Sequence, residues 1–276
     1  MRCMGLLAAF VLVASGAACS SSGSDADSVV GRANGRHHLT IGIRFDKPGL
    51  SERKLDGRVV GFDVDVAKFV AAELGVEPRN ITWRETAPNT RETDIGSGAV
   101  DLVAATYSIT DKRRQLVSFA GPYFVTGQDL LVRLTSADIT GPESLNGRKL
   151  CSVPGTTSAQ QVRDRFAQAV QLVEYPRYTD CVTALLAGQV DAVTTDAAIL
   201  AGYVTQNPEL LRVVGQSFSI ERYGIGLRKG DTAGQTAING AIKKMISSGT
   251  WLASLNNNIG PSGYKLPPPP GVTEKP

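Results

Sequence analysis

Histidine, on which most catalytic triads and many zinc sites depend, is nearly missing from this chain. The 276 residues contain two, His37 and His38, and they are neighbours. A triad or a zinc site needs a histidine held by a packed scaffold. If this pair lies outside the folded domain, those chemistries lose their usual residue. A metal role for the pair stays open, although exposed polar residues are the simpler interpretation.

An excess of charge of one sign is missing as well. The chain has 29 Lys and Arg against 26 Asp and Glu, a formal net charge of +3, and no dense basic run. This balance argues against a nucleic-acid binder. The sequence also lacks a Gly-x-Ser-x-Gly elbow and a Walker-type loop, and Gly224-Ile225-Gly226 has too few glycines for a dinucleotide site. We therefore expect no nucleic acid, no cofactor, no metal and no catalysis.

The apolar run near the N-terminus is short. Met4 to Ala14 is apolar over eleven residues, which is too few for a stable helix across a bilayer. Such a run is typical of a signal peptide, predicted here at residues 1–18. The small residues before Cys19 are similar to the lipobox of bacterial lipoproteins, although Gly16 stands where Leu or Val is usual. We predict lipidation at Cys19 and anchoring to the outer face of the cell membrane; cleavage without lipidation is the alternative.

Both ends of the mature chain have the composition of flexible segments. Residues 19–38 are rich in Ser, Gly, Asp and Asn and are predicted to form a flexible tether, which includes both histidines. Residues 264–276 contain four consecutive prolines after Leu266 and are predicted to form a disordered tail. The folded part is then residues 39–263.

The region between these ends alternates strands with amphipathic helices, which is typical of α/β proteins. A hydrophobic content of 42% is enough for one or two domains. Residues 98–103 (Gly-Ala-Val-Asp-Leu-Val) close one strand–helix set, and residues 188–193 (Gly-Gln-Val-Asp-Ala-Val) echo them in a second. We predict two similar lobes, each a mixed sheet flanked by helices, joined by two hinge crossings. Lobe 1 is assigned residues 39–127 and 222–263, and lobe 2 residues 128–221.

Four motifs carry a resemblance to a known family. In chain order they are Gly61-Phe62-Asp63-Val64-Asp65-Val66, Ser108-Ile109-Thr110-Asp111-Lys112-Arg113, Val117 to Tyr123, and Thr194-Thr195-Asp196. Together they resemble the bacterial extracellular solute-binding proteins of family 3. Within that family, residues 104–109 (Ala-Ala-Thr-Tyr-Ser-Ile) and 150–153 (Leu-Cys-Ser-Val) resemble the glutamate-binding lipoproteins of actinobacterial ABC importers. The similarity runs from about Leu39 to Ile259. Taken alone, the first motif also fits an ordinary strand–turn–helix start in which Asp63 is the N-cap.

The resemblance implies a type II periplasmic-binding-protein fold that closes around a polar amino acid and delivers it to the permease of an ABC importer. We expect a monomer outside the cytoplasm, held at the membrane by its lipid. Two alternatives stay open: a receptor module that reports the ligand to a membrane signalling partner, and an enzyme on the same scaffold. The enzyme would need a catalytic glutamate facing the cleft, and no glutamate lies in an obvious motif.

The resemblance also assigns the groups that bind the part common to all amino acids. Arg113 is expected to bind the α-carboxylate through its guanidinium fork, and Asp196 to accept hydrogen bonds from the ammonium group. Further groups are the Ser108 hydroxyl, the Thr106 carbonyl, and the backbone N–H groups around Thr156 and Thr157. The alternatives are a solvent-facing charge for Arg113 and a helix N-cap for Asp196.

Specificity is expected to come from the side-chain end of the cleft. Arg44 and Arg91 fall where acidic-amino-acid binders of this family have arginines. Two guanidinium groups there favour a side-chain carboxylate, so glutamate is expected first, then aspartate, then glutamine. Phe45 is expected to wall the cleft, and Lys47 to remain exposed. Either arginine could instead pair with a nearby acid, namely Asp46 or Glu92.

Cysteine is scarce, with four residues in the chain. Cys3 lies in the predicted signal peptide and Cys19 is the lipidation candidate. Cys151 and Cys181 remain as an even pair in an exported domain, so we predict a disulfide between them. Two buried free thiols are the alternative.

Overall fold

The computed structural model describes residues 27–276 and contains two lobes, each built on a five-stranded sheet. The predicted α/β fold, with two lobes of mixed sheet flanked by helices, is confirmed. The predicted signal peptide and the lipidation candidate Cys19 lie outside the described residues.

Lobe 1 is formed by two separate stretches of the chain. Its strands are β1 (Leu39–Ile43), β2 (Asp46–Lys47), β3 (Ser51–Arg53), β4 (Val59–Val60), β5 (Ile81–Glu85), β6 (Leu102–Val103), β7 (Val117–Thr126) and β13 (Glu221–Arg228). Its helices are α1 (Val29–Arg36), α2 (Phe62–Glu73), α3 (Arg91–Gly96), α4 (Asp111–Arg114), α8 (Thr232–Ser247) and α9 (Thr250–Asn258), with 3-10 turns at Pro78–Asn80 and Gly260–Ser262. The main sheet has the order β5-β1-β6-β13-β7, and β2-β3-β4 form a small separate sheet.

Lobe 2 is one continuous stretch of the chain. Its strands are β8 (Gln128–Arg133), β9 (Lys149–Ser152), β10 (Gln171–Glu174), β11 (Ala192–Asp196) and β12 (Leu211–Val213). Its helices are α5 (Ser158–Arg165), α6 (Tyr178–Leu186) and α7 (Ala197–Gln206), with a 3-10 turn at Pro142–Leu145. The sheet order is β10-β9-β11-β8-β12, in which β10, β9 and β11 run parallel and β8 antiparallel to β11.

The chain crosses from lobe 1 to lobe 2 between β7 and β8 and returns between β12 and β13. Gly127 alone separates β7 from β8. A Cβ atom at Gly127 would lie 2.7 Å from the Cβ of Ser217 on the returning segment. The two crossings therefore pack side by side, and only a glycine fits between them.

The two similar Gly-x-Val-Asp segments make the same hydrogen bond in each lobe. The carboxylate of Asp101 accepts the Thr40 N–H at 2.8 Å, and that of Asp191 accepts the Lys149 N–H at 2.8 Å. In both lobes the aspartate thus satisfies a backbone donor at the start of the neighbouring parallel strand. The echo in the sequence reflects this shared bond.

The start of α2 differs from the expectation for Asp63. The N-cap is Gly61, with φ 125°, and a Cβ there would lie 2.3 Å from the carbonyl oxygen of Leu50. Glycine is required at this position because the backbone of the β2–β3 turn passes too close for any side chain. Asp63 is buried and its carboxylate points to other partners, described below, so its assignment as the N-cap is wrong.

Residues Val29–Arg36 are helical, contrary to the flexible tether predicted over residues 19–38, of which residues 19–26 lie outside the described residues. In α1, Val29 and Ala33 are fully buried against lobe 1. Arg32 forms an ion pair with Asp101 at 2.6 Å. The polar composition concealed this helix because two small apolar residues four apart are enough to pack it.

His37 and His38 follow α1 on the protein surface. His37 is the left-handed C-cap of the helix, and Nε2 of His38 lies 2.9 Å from the Thr82 hydroxyl. The pair therefore belongs to the folded part of the chain, at the junction between α1 and β1.

The C-terminal segment 264–276 has no helix or strand, yet it packs on lobe 1, so the expectation of disorder is wrong. The N–H groups of Thr273 and Glu274 both donate to the carbonyl of Gly121 at 2.9 Å. The Glu274 carboxylate also takes two bonds from the Arg114 guanidinium, at 2.7 and 3.0 Å. Polyproline composition excludes helix and sheet but not docking through the residues that follow it.

Cys151 and Cys181 are joined by a disulfide across 30 residues of sequence. The bond ties β9 to α6, whose first residue is Tyr178. It thereby fixes the helix end that faces lobe 1.

Candidate ligand site

A narrow cavity lies between the lobes and takes its lining from both. Lobe 1 contributes Lys47, Pro88, Arg91, Thr106, Ser108 and Arg113, and lobe 2 contributes Thr156, Thr157, Ser158, Tyr178, Thr195, Asp196 and Ile199. Most of the residues predicted from the sequence are therefore brought together here. Arg44 and Phe45 are not among the lining residues.

Arg113 extends from α4 across the mouth of the cavity. The hydroxyl of Thr110, the N-cap of this helix, accepts the Arg113 N–H. The guanidinium donates to the Ser108 carbonyl at 2.8 Å and, across the gap between the lobes, to the Gly155 carbonyl at 3.0 Å. It also lies 3.6 Å from Glu92. The solvent-facing alternative does not hold, because the Arg113 side chain is 11% exposed.

Arg91 lies near Arg113, over the same tyrosine ring, and its Nε has no hydrogen-bond partner among the described residues. Its guanidinium lies 4.4 Å from the centre of the Tyr107 ring, and that of Arg113 lies 5.1 Å from the same ring. Burial, together with the nearby Arg113, lowers the pKa of Arg91 to about 10. Its Nε is buried and has no hydrogen-bond partner within residues 27–276. An acceptor entering the cavity would satisfy this donor.

Lys47 is buried, so the expectation that it remains exposed is wrong. It is 3% exposed, its ammonium donates to the Thr106 hydroxyl, and it lies 5.9 Å from the centre of the Tyr178 ring. Burial lowers the pKa of Lys47 to about 7, and the positive charges of Arg91 and Arg44 act in the same direction. The carboxylates of Asp46 and Asp63 act in the opposite direction on the Lys47 pKa, and an added carboxylate would favour the charged ammonium further.

Thr106 lies beside Lys47, and Asp63 holds its backbone in place. Thr106 adopts a left-handed backbone conformation with φ 47°, which is rare for a β-branched residue. The Asp63 carboxylate accepts its N–H at 2.9 Å and the Tyr123 hydroxyl at 2.9 Å. Burial raises the pKa of Asp63 to about 7. Asp63, the third residue of the Gly-Phe-Asp motif, therefore holds the backbone of Thr106 at the cavity.

Asp196 ends β11 and presents its carboxylate at the cavity. It also occupies the N-cap position of α7, as the alternative expects, but its side chain makes no capping bond to that helix. The Tyr223 hydroxyl donates to it at 2.5 Å. Burial raises the pKa of Asp196 to about 7, and the nearby Glu221 acts in the same direction. A ligand ammonium would favour the charged carboxylate.

Thr156 and Thr157 line the lobe 2 side of the cavity, as expected. The Thr156 hydroxyl donates to the Val153 carbonyl at 2.8 Å, which holds the loop before α5. Six lining residues lie outside the predicted set of site residues, namely Lys47, Pro88, Ser158, Tyr178, Thr195 and Ile199. Thr195 nevertheless belongs to the Thr194-Thr195-Asp196 motif, which marks this end of β11 as a ligand site. Tyr178 has no comparable signal.

Arg44 pairs with a neighbouring acid, which was the open alternative for this residue. Its Nε and one terminal nitrogen donate to the Asp46 carboxylate at 3.0 and 3.1 Å. Phe45 lies under the Arg53 guanidinium, 3.6 Å from its ring centre. Both side chains are therefore engaged outside the cavity lining.

The ionisable groups of the cavity lining are unbalanced in sign. Lys47, Arg91 and Arg113 are cationic, and Asp196 is the carboxylate that faces them within the described lining. One cation and one carboxylate match the zwitterion of a free amino acid. The lining holds two further cations, which acids outside it balance in part: Glu92 lies 3.6 Å from Arg113, and Asp46 and Asp63 raise the pKa of Lys47. An added anion would stabilise these buried positive charges further.

Within residues 27–276, the helices are all too short or too polar to span a membrane.

The sequence pattern of the bacterial extracellular solute-binding proteins, family 3, matches residues 39–260. A similar protein is the glutamate-binding protein GluB of Corynebacterium glutamicum, 45% identical over 88% of this chain and 85% of that protein. The ABC transporter glutamine-binding protein GlnH of Bacillus subtilis is 34% identical over 85% of this chain and 88% of its own.

The fold is likewise similar to solved structures. An ancestral arginine-binding protein bound to arginine superposes with a TM-score of 0.75 at 33% identity, covering 81% of this chain and 98% of that one. The two-lobed architecture is that of type II periplasmic amino-acid-binding proteins.

Proposed function

Because the chain belongs to family 3 of the bacterial extracellular solute-binding proteins, we propose that it captures glutamate, and aspartate less tightly, for a membrane permease of an ABC importer. The lobes close on the ligand, and the chain acts as a monomer that binds without catalysing a reaction. Cys19 carries the lipid that holds it at the outer face of the cell membrane.

The observation that carries the choice of ligand is the excess of two cations in the cavity lining. In the proposed arrangement, Arg113 binds the α-carboxylate and Asp196 the ammonium group. Lys47 and the free Nε of Arg91 then bind the side-chain carboxylate. The side-chain carboxylate of a dicarboxylate would be shared by these two cations, and charge-assisted bonds of this kind contribute about 1.5–3 kcal/mol each.

Other amino acids fit this set of charges less well. Arginine would bring a third guanidinium against Lys47 and Arg91, which costs several kcal/mol for like charges in contact. Glutamine would bring no additional counter-charge to the lysine ammonium. The 45% identical relative named as a glutamate-binding protein supports the same choice.

Isothermal titration of the purified protein with glutamate, aspartate, glutamine and arginine tests the proposal. We expect the dissociation constants to rise in that order. Tighter binding of arginine or glutamine than of glutamate would overturn the ligand assignment. Uptake of labelled glutamate by cells with and without the gene tests the role in import, and globomycin-sensitive processing tests lipidation at Cys19.

A further inference from the structure

We infer that a set of hydrogen bonds between the two lobes, which we call the clasp, holds the lobes closed beside the cavity. It therefore lowers the dissociation constant of every ligand by the same factor. The clasp is formed by Arg44 and Asp46 of lobe 1 and by the Pro176 carbonyl, the Tyr178 N–H and the Tyr203 hydroxyl of lobe 2. It acts on the ligand site described above, so its effect on affinity rests on the proposed function.

Asp46 is the centre of the clasp. Its carboxylate accepts two bonds from Arg44 and, from the other lobe, the Tyr178 N–H at 3.1 Å. Asp46 is 5% exposed and Arg44 is 2% exposed. Although burial alone would raise the pKa of Asp46, the Arg44 guanidinium holds it below its usual value. The carboxylate therefore keeps its charge, and bonds to a charged acceptor are the stronger ones.

The backbone around Asp46 makes further contacts with lobe 2. The Tyr203 hydroxyl of α7 donates to the Asp46 carbonyl. Arg44 reaches the Pro176 carbonyl at 3.5 Å. The lobes touch closely beside these bonds, since a Cβ at Gly202 would lie 2.3 Å from the Pro48 carbonyl oxygen. All of these contacts join protein atoms of one lobe to protein atoms of the other.

Apart from Tyr178, whose backbone N–H is the group in the clasp, the clasp residues are separate from the cavity lining. Within residues 27–276 the cavity lining includes Lys47 but not Arg44, Asp46 or Tyr203. Lys47 and Asp46 are the two residues of β2, so the bonds that seat Asp46 against lobe 2 also seat Lys47 in the cavity. Asp46 and Tyr203 are thus positioning residues.

A contact that favours the closed form adds to the affinity of any ligand that binds that form. In an equilibrium between open and closed forms, such a contact changes all dissociation constants by one common factor. A side chain that touches the ligand instead changes some dissociation constants more than others. The two roles can therefore be separated by comparing ligands.

Tyr203→Phe is the cleanest variant, because it removes one hydroxyl from the clasp and leaves the Arg44–Asp46 pair intact. We expect the dissociation constants for glutamate and aspartate to rise by the same factor, about three- to tenfold, as for one neutral hydrogen bond. Asp46→Asn should raise both by about tenfold or more, since its bonds are charge-assisted. The glutamate-to-aspartate ratio should not change in Tyr203→Phe. Asp46→Asn also removes a carboxylate that raises the pKa of Lys47, so the comparison between ligands is made on Tyr203→Phe.

Arg177→Gln is the matched control, since it also breaks a bond between the lobes. The Arg177 guanidinium lies 2.9 Å from the Glu85 carboxylate, but its side chain is 51% exposed. Exposed ion pairs contribute little, so the dissociation constants should stay within about twofold of those of the unmodified protein. Thermal unfolding of each variant confirms that it folds.

Small-angle X-ray scattering gives a second readout that does not require a known ligand. Without ligand, Tyr203→Phe and Asp46→Asn should have a larger radius of gyration than the unmodified protein. Saturating glutamate should return all of them to one value. Unchanged dissociation constants and unchanged radii would overturn the clasp, and so would a factor that differs between ligands in Tyr203→Phe. If the unmodified protein bound no acidic amino acid, the proposed function would fail, whereas the scattering comparison would still test the clasp.

Discussion

Replacing Lys47 by methionine should weaken glutamate binding far more than glutamine binding. Methionine keeps an apolar chain of similar length and removes only the ammonium group. Lys47 is 3% exposed and shares the cavity lining with Arg91. A ligand carboxylate placed there would meet the ammonium with little solvent between them, so the charge should count strongly.

The size of the effect follows from two opposing terms. Two unit charges about 4 Å apart attract by about 4 kcal/mol at an effective dielectric constant of about 20. Removing the ammonium also removes the cost of burying it, which is evident in the lowering of the Lys47 pKa to about 7. We expect a net loss of about 2–3 kcal/mol for glutamate, which is roughly 30- to 150-fold in the dissociation constant. Glutamine should lose less than about threefold.

Isothermal titration of both ligands against the unmodified protein and Lys47→Met measures this difference. Lys54→Met is the matched control, because the Lys54 ammonium is half-exposed and pairs with Glu52 at 2.6 Å on the same hairpin. The control should bind both ligands as the unmodified protein does. Equal losses for glutamate and glutamine in Lys47→Met would refute the assignment of Lys47 to the side-chain carboxylate.

Two further predictions concern pH and the disulfide. Glutamate affinity, measured by titration at a series of pH values, should be greatest near neutral pH. Below about pH 7 the affinity falls because Asp196 takes up a proton. Above about pH 7 it falls because Lys47 loses a proton. Lys47→Met should lose the alkaline decline and keep the acidic one, and a flat profile would contradict both roles. Replacing Cys151 and Cys181 by serine should reduce the free energy of unfolding by about 3–4 kcal/mol, from the entropy of a 30-residue loop. A melting temperature unchanged from that of the unmodified protein would count against this estimate.

The fold was predictable because each lobe repeats one local pattern. Strand, helix and a Gly-x-Val-Asp strand recur in both halves, and the aspartate of each repeat makes the same backbone bond. The motif around Asp63 was recognisable, but its role was not. Its carboxylate bonds to Thr106, 43 residues away in the chain, and no local periodicity encodes such a contact.

The errors in the site share one physical cause. β2 has two residues, so no alternation shows which way Lys47 and its neighbours point. The sequence therefore predicts Arg44 in the cavity lining and Lys47 exposed, whereas Lys47 lines the cavity and Arg44 does not. Similarly, α1 is held by two small buried residues, and the C-terminal segment by backbone bonds to Gly121. Composition alone does not reveal packing of this kind.

A crystal structure of the protein with glutamate bound would show which residues hold the ligand. We expect the side-chain carboxylate of the ligand within hydrogen-bond distance of Lys47 and Arg91, with its α-carboxylate on Arg113 and its ammonium on Asp196. Arg44 should still pair with Asp46. A ligand side-chain carboxylate bound to Arg44, with Lys47 turned away from it, would overturn the proposed roles of Lys47 and Arg91.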